Sequence, residues 1–376
     1  MKKFFSCLSA ILVCMSALAQ DAVSGDGDAA DMSLEDAAAA GDAVAQYNLG
    51  YQYYSDGDAA EAVRWWTLAG EQGLDAAQSL LGQCYAAGIG VKTDLAQAAR
   101  WYDLAAAQGD PVAQYRLGEM CEKGNGVERD IARAVTLYKA SAEQECAGGL
   151  NNLGRCCQHG LGVERDLKRA VELYSAAAEQ GLAAAQFNLG VCYENGIGVE
   201  ADAKQAAHFY HEAAVQDHEL AQYNLGSCYQ DGVGVDKDMA QAAYWYERAA
   251  KQGEPSAQRA YAYCLMHGEG VAQDREMAVL WYQEAAKQGD LPAMFNLGVC
   301  YDEGLGVTVD PAIAVQWYTR AAEAGDAAAQ YNLAWCYDNG RGVKRDFHAA
   351  LTWYQLAARN GNEKAQSWLQ RNGYSW

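Results

Sequence analysis

The step Ala-Gln recurs at Ala45-Gln46, Ala77-Gln78, Ala113-Gln114, Ala185-Gln186, Ala221-Gln222, Ala257-Gln258, Ala329-Gln330 and Ala365-Gln366. Gly149-Leu150 and Ala293-Met294 fill the two gaps in the series. From Ala77 to Ala365 is 288 residues, eight steps of 36, while the step from Ala45 to Ala77 is 32. A fixed period of this length describes units stacked in a line, each too small to bury its apolar face alone. The count gives nine units and one trailing helix.

Each unit reads alike. Tyr223-Asn224-Leu225-Gly226-Ser227-Cys228-Tyr229 belongs to a first helix, A. A Gly-x-Gly-Val loop follows, here Gly232-Val233-Gly234-Val235, and then Asp238. Ala242-Ala243-Tyr244-Trp245-Tyr246 opens a run of apolar residues spaced by three and four, a second helix, B. Gly232 and Gly253 suit left-handed stops for the two helices. Asp94, Asp130, Asp166, Asp202, Asp238, Asp274, Asp310 and Asp346 are placed to cap helix B. The first unit has a plain turn at Asp56-Gly57-Asp58 instead of the glycine loop. The expected fold is all-α: an α-solenoid, a right-handed superhelix of nine two-helix repeats, mostly 36 residues each. A C-terminal helix from about Glu363 to Gln370 caps it.

The repeat array occupies 34–376. Ahead of it, Lys2 and Lys3 precede an apolar run from Phe4 to about Leu18, and Ala17-Leu18-Ala19 offers small residues for cleavage before Gln20. Residues 1–19 read as a secretory signal peptide, the run being short for a retained membrane anchor. Residues 20–33 form an acidic, flexible leader. The expectation is an exported chain, periplasmic or secreted, whose mature part does not insert in a membrane. Twenty-eight basic residues against 49 acidic ones give a net charge of −21. That balance disfavours nucleic acid and anionic lipid surfaces as partners.

The run Ala-Gln-Tyr-Asn-Leu-Gly, then Tyr-x-x-Gly-x-Gly-Val, then Ala-x-x-Trp-Tyr closely resembles the Sel-one-like repeat family, a branch of the tetratricopeptide superfamily. The resemblance covers Asp36 to about Trp376. It implies a helical scaffold or adaptor that binds a protein or peptide along a concave groove lined by helix A. Secreted cysteine-rich members of the family, described as binding or hydrolysing penicillin-type compounds, offer the alternative of a β-lactam- or cell-wall-related hydrolase. In those relatives closely spaced cysteine pairs link helix B to the next helix A. No comparable spacing stands here.

By that resemblance the Asn of Tyr-Asn-Leu-Gly points into the groove: Asn48, Asn188, Asn224, Asn296 and Asn332, with Asn152 in the same place. Its amide either reads the backbone of an extended peptide or bonds a neighbouring helix and only shapes the repeat. Three residues on, the chain varies: Tyr51, Gln83, Glu119, Arg155, Val191, Ser227, Tyr263, Val299 and Trp335. Scaffold positions recur, whereas positions that read a ligand differ. Tyr51, Tyr263 and Trp335 suit rigid binding anchors. Arg116 and Arg155, with Lys123 and Arg259, are basic points for a ligand's carboxylates.

Other features carry less chemistry. The glycine loops join helices and recur eight times, so they are turns and not phosphate cradles. Cys84, Cys156, Cys192, Cys228, Cys264, Cys300 and Cys336 share one register. Neighbours in it are about 8–10 Å apart, too far for a disulfide. A bond among Cys121, Cys146, Cys156 and Cys157 stays open. His208, His211 and His218 cluster in one repeat and are expected to face solvent. No metal site, cofactor or catalytic set is expected.

Overall fold

The computed structural model describes residues 32–376, so the expected signal peptide and most of the expected leader lie outside the described residues. The described residues form twenty helices and no strand. The A helices are Ala43–Ser55, Asp75–Ala87, Pro111–Lys123, Ala147–His159, Ala183–Asn195, Glu219–Asp231, Pro255–His267, Leu291–Glu303 and Ala327–Asn339. The B helices are Ala59–Glu71, Leu95–Ala107, Ile131–Glu143, Leu167–Glu179, Ala203–Val215, Met239–Gln252, Arg275–Lys287, Pro311–Glu323 and Phe347–Arg359. Paired helices repeating about every 36 residues make an α-solenoid of nine repeats. It divides into two compact units, one running through Ala113 with Asn125–Val127, the other Gln114–Gly124 with Glu128–Trp376. Among the described residues no helix is long and apolar enough to cross a membrane.

Local chemistry sets many of the helix boundaries. All eight aspartates expected as caps stand at the N-cap of a B helix and accept a backbone N–H from its first turn. Gly232 ends helix Glu219–Asp231 in the left-handed conformation, at φ 71°. Gly234 has a second reason to lack a side chain. A Cβ there would lie 2.0 Å from the Ala203 carbonyl oxygen, because the loop rests on the start of the preceding B helix. Gly90 of the second repeat meets the Ala59 carbonyl of the first in the same way. The loop is therefore a fixing between successive repeats, with its valine half-buried beneath it.

Inside each repeat a ring from helix B seats on a small residue of helix A, a glycine in seven repeats and Ala262 or Ala334 in the other two. Trp66, Tyr102, Tyr138, Tyr174, Tyr210, Tyr246, Tyr282, Tyr318 and Tyr354 recur every 36 residues, and all are buried. A Cβ on Gly226 would lie 2.7 Å from the Tyr246 ring. The glycine of Tyr-Asn-Leu-Gly thus lets the helices close on the ring. Several of these hydroxyls are satisfied by helix A. Tyr138 donates to Glu122 at 2.8 Å, Tyr174 to Gln158 at 2.8 Å and Tyr210 to Glu194 at 2.7 Å.

The glutamine of each Ala-Gln step is buried and hydrogen-bonded to its neighbours, except Gln366 of the last helix, which is half-buried. Gln222 donates to the Ala214 carbonyl of the preceding B helix at 3.0 Å and accepts from Gln252 at 2.7 Å. Gln78 does the same with Gly70 and Gln108, at 2.9 and 2.8 Å. Both ends are closed. Leu34–Ala39, a short helix the sequence period does not reveal, takes the place of a preceding B helix, and Gln46 donates to its Ala38 carbonyl. At the other end Glu363–Arg371 buries Ala365 and Leu369 and stacks Trp368 on Tyr354, ring centroids 4.0 Å apart.

Candidate functional site

The positions three residues after the Asn all reach solvent on helix A. Tyr263 and Trp335 are the most open, at 45% and 40% exposure. Tyr51 is half-buried, its ring edge-on to Trp66 with centroids 5.5 Å apart and its hydroxyl beside that of Tyr47. Tyr51 is thus part of the packing of its own repeat, unlike Tyr263 and Trp335.

Asn152 is buried and the other asparagines are half-buried, and several are engaged. Asn224 bonds the Tyr210 hydroxyl and Asn332 the Tyr318 hydroxyl, each tying its helix A to the preceding helix B. Asn188 donates to Asn151 at 2.9 Å, and Asn152 donates to Glu119 at 3.2 Å. Asn48 and Asn296 sit at the matching places, half-buried. Three of the four basic points are in ion pairs. Arg116 holds Glu119 at 3.2 Å, Arg259 holds Asp290 at 3.1 Å, and Arg155 holds Glu122. The Arg155 guanidinium keeps the Glu122 carboxyl below its ordinary range. A polar relay from Arg116 through Glu119, Asn152 and Asn151 to Asn188 therefore crosses three repeats.

Farther along the same unit the helix A faces enclose a hollow of about 510 Å³. Tyr223, Ser227 and Gln230 come from one repeat, Arg259 and Tyr263 from the next, and Asn296 from the third. Lys237 and Glu269 reach in from the loops. The hollow brings together Asn296, Tyr263 and Arg259. Asn48, Tyr51, Arg116, Arg155, Asn188, Asn224, Asn332 and Trp335 do not line it. Gln230, absent from the sequence reading, lies one helical turn beyond Ser227 and was reachable by extending that face.

The three histidines do not share an environment. His208 and His211 are exposed. His218 is half-buried, contrary to expectation: it stacks on Phe187, ring centroids 4.7 Å apart, and its Nδ1 accepts the Ala221 N–H at 3.3 Å. The reason is its place at the N-cap of helix Glu219–Asp231, where the first turn needs an acceptor. Burial holds its imidazole below the ordinary value. Among the described residues no group of three or more His, Cys, Asp or Glu is placed to hold a metal ion. The ten described cysteines form no disulfide. Burial pushes Cys84, Cys300 and Cys336 up to about 12.

Comparison with known proteins agrees with this repeat geometry. The Sel1 repeat model matches nine times, over 43–74, 75–110, 111–146, 147–182, 183–218, 220–254, 255–290, 291–326 and 327–362. The chain is similar to c5321, a protective antigen present in uropathogenic Escherichia coli strains displaying an SLR fold. That crystal structure is 36% identical with a TM-score of 0.54, covering 89% of this chain and 80% of that one. A Sel1 repeat protein from Oxalobacter formigenes is 31% identical with a TM-score of 0.59, covering 65% of this chain and 96% of its own. A search of curated proteins gives no match. Nine matched repeats, running from the first A helix to the end of the last B helix, place this chain in the Sel1 repeat family, to which it belongs.

Proposed function

We propose that the chain is an exported scaffold that binds a protein or peptide along its helix A faces, with the hollow between Tyr223 and Asn296 as the main anchor pocket. Helical repeat scaffolds of this family serve as protein-interaction modules. The observation that carries the finer reading is the hollow itself. Three successive repeats contribute to it, and its lining residues differ from repeat to repeat while the packing residues beside them recur. It is polar at Ser227, Gln230 and Arg259 and carries an exposed ring at Tyr263, a mixture suited to one side chain and the backbone of an extended segment. Export is supported by Lys2, Lys3, the apolar run and Ala17-Leu18-Ala19. That c5321 is a protective antigen points the same way.

The test is selection of peptides from a displayed library against the mature chain, followed by affinities for variants. Tyr263→Ala with Arg259→Ala should weaken the selected peptides by at least about tenfold, the range for loss of an anchor. Leu280→Ser, on an exposed part of a B helix, should leave them unchanged. The opposite pattern would move the working face to helix B. Cell fractionation with mass spectrometry tests export, which requires a mature chain beginning at Gln20.

A further inference from the structure

A second hollow, of about 350 Å³, opens between helix Ile131–Glu143 and the repeat that follows it. Its floor is apolar: Leu150, Leu153, Cys157 and Leu173 are at most 9% exposed. Lys139, Glu143 and Arg169 stand around it.

Repeat register explains why it is there. In the next repeat the places of Cys157 and Leu173 hold Tyr193 and Phe209, stacked with ring centroids 5.7 Å apart. Tyr85 with Trp101, Tyr229 with Trp245, Tyr301 with Trp317 and Tyr337 with Trp353 put rings at both places as well. The repeat before shares the reduction, at Cys121 and Leu137. At Cys157 and Leu173 a stacked pair is cut down on both sides, and the backbone has not collapsed to fill the gap. Apolar walls left without partner atoms forfeit dispersion contacts that an inserted ring restores.

The rim sets the polarity of the occupant. Arg169 is paired with Glu172 at 2.8 Å. Lys139 and Glu143, one turn apart, oppose each other in charge. The rim thus exerts no net pull on an ion. Among the described residues the Glu143 carboxylate has no hydrogen-bond or ion-pair partner, and it offers an acceptor to a ring O–H or N–H.

We infer that this hollow binds a small neutral aromatic molecule bearing one hydroxyl or N–H, of the phenol or indole class, in the place of the missing side-chain pair. The inference does not depend on the helix A reading. p-Cresol is the probe, added to the mature chain with leucine methyls labelled with carbon-13. The methyls of Leu150, Leu153 and Leu173 should shift saturably. Cys157→Tyr, which restores the ring found at Tyr193, should weaken that binding by at least about tenfold while leaving the melting temperature equal or higher. Leu173→Trp closes the hollow from its other wall and should do the same. Glu143→Gln should weaken p-cresol more than toluene. Leucine methyls that stay unmoved at saturating p-cresol, or binding unchanged in both Cys157→Tyr and Leu173→Trp, would overturn the assignment.

Discussion

The side-chain amide of Gln252 donates to Oε1 of Gln222 at 2.7 Å, thirty residues earlier in the chain. Gln222 is fully buried and passes its own N–H on to the Ala214 carbonyl. One side chain thus joins the end of its own B helix to the end of the one before. Gln222→Met keeps the volume and removes the bonds to the Ala214 carbonyl, to Asp217 and from Gln252. The expected cost is about 2–3 kcal/mol of stability, read from urea unfolding. Gln355→Met, at a half-buried place of helix Phe347–Arg359 whose amide donates to the Ser375 carbonyl, should cost well under half of that. Equal costs would reduce the buried bridge to an ordinary surface contact.

Two glycines of one loop should respond differently to alanine. At Gly232 a Cβ meets Lys237 Cβ at 3.3 Å, so Gly232→Ala incurs mainly the left-handed backbone term, about 1–2 kcal/mol. At Gly234 the backbone is also left-handed, at φ 75°, and the Cβ would run into the Ala203 carbonyl. Gly234→Ala should therefore cost clearly more, by at least about 2 kcal/mol beyond Gly232→Ala. Thermal unfolding of the two variants side by side decides it. If Gly232→Ala proves the costlier, the loop does not fix one repeat to the next.

His218 should give the array an acid-sensitive point. Its neutral Nδ1 accepts the cap bond and burial depresses its proton affinity in the fold. The unfolded chain therefore takes up the proton first, near the ordinary value of 6.5. Stability should fall as pH drops through about 6.5 and level off below the folded value. His218→Asp supplies the cap found at Asp290 and Asp326. It should flatten the curve between pH 7 and 5.5, above the range where carboxylates titrate. A wild-type stability flat over that window would mean the cap bond is not made.

The cysteine register should be chemically silent until the fold opens. Thiols pushed up to about 11 or 12 by burial, such as Cys264 and Cys300, are almost wholly protonated at pH 8. Alkylation of the native chain at that pH should be slow at Cys84, Cys192, Cys228, Cys264, Cys300 and Cys336 and fast after addition of guanidinium. Peptide mass spectrometry should then recover all six as unlinked, alkylated residues. Native labelling of Cys300 as fast as of the half-buried Cys146 would contradict the burial described.

The sequence spoke most clearly where a feature is local. Asp238 precedes the apolar period of its helix, and that alone marks it as a cap. Gly232 follows the last periodic residue of helix A and ends it there. Features that need two distant partners were silent. The Ala-Gln step was visible as a period, yet nothing along the chain says that Gln222 meets Gln252 and Ala214. Leu34–Ala39 has too few residues to show a helical period and exists because Leu49 and Ala45 pack against it. His218 is an uncommon cap, so its residue type gave no warning. Within the candidate site, Tyr263, Arg259 and Asn296 were found by their place on helix A. The polar relay of Arg116, Glu119, Asn152 and Asn188 was not, because i to i+3 spacing does not show which amide faces which carboxylate.

The fixing made by Gly234 reaches back only to the start of the preceding B helix and asks nothing specific of its target except a backbone carbonyl. A copied segment of 36 residues would find the same carbonyl waiting for its own glycine wherever it was inserted in phase. Gene duplication and unequal recombination can therefore lengthen or shorten such a chain in a single event, with no new interface to invent. The side chains that look outward from helix A are then left to diverge at their own pace.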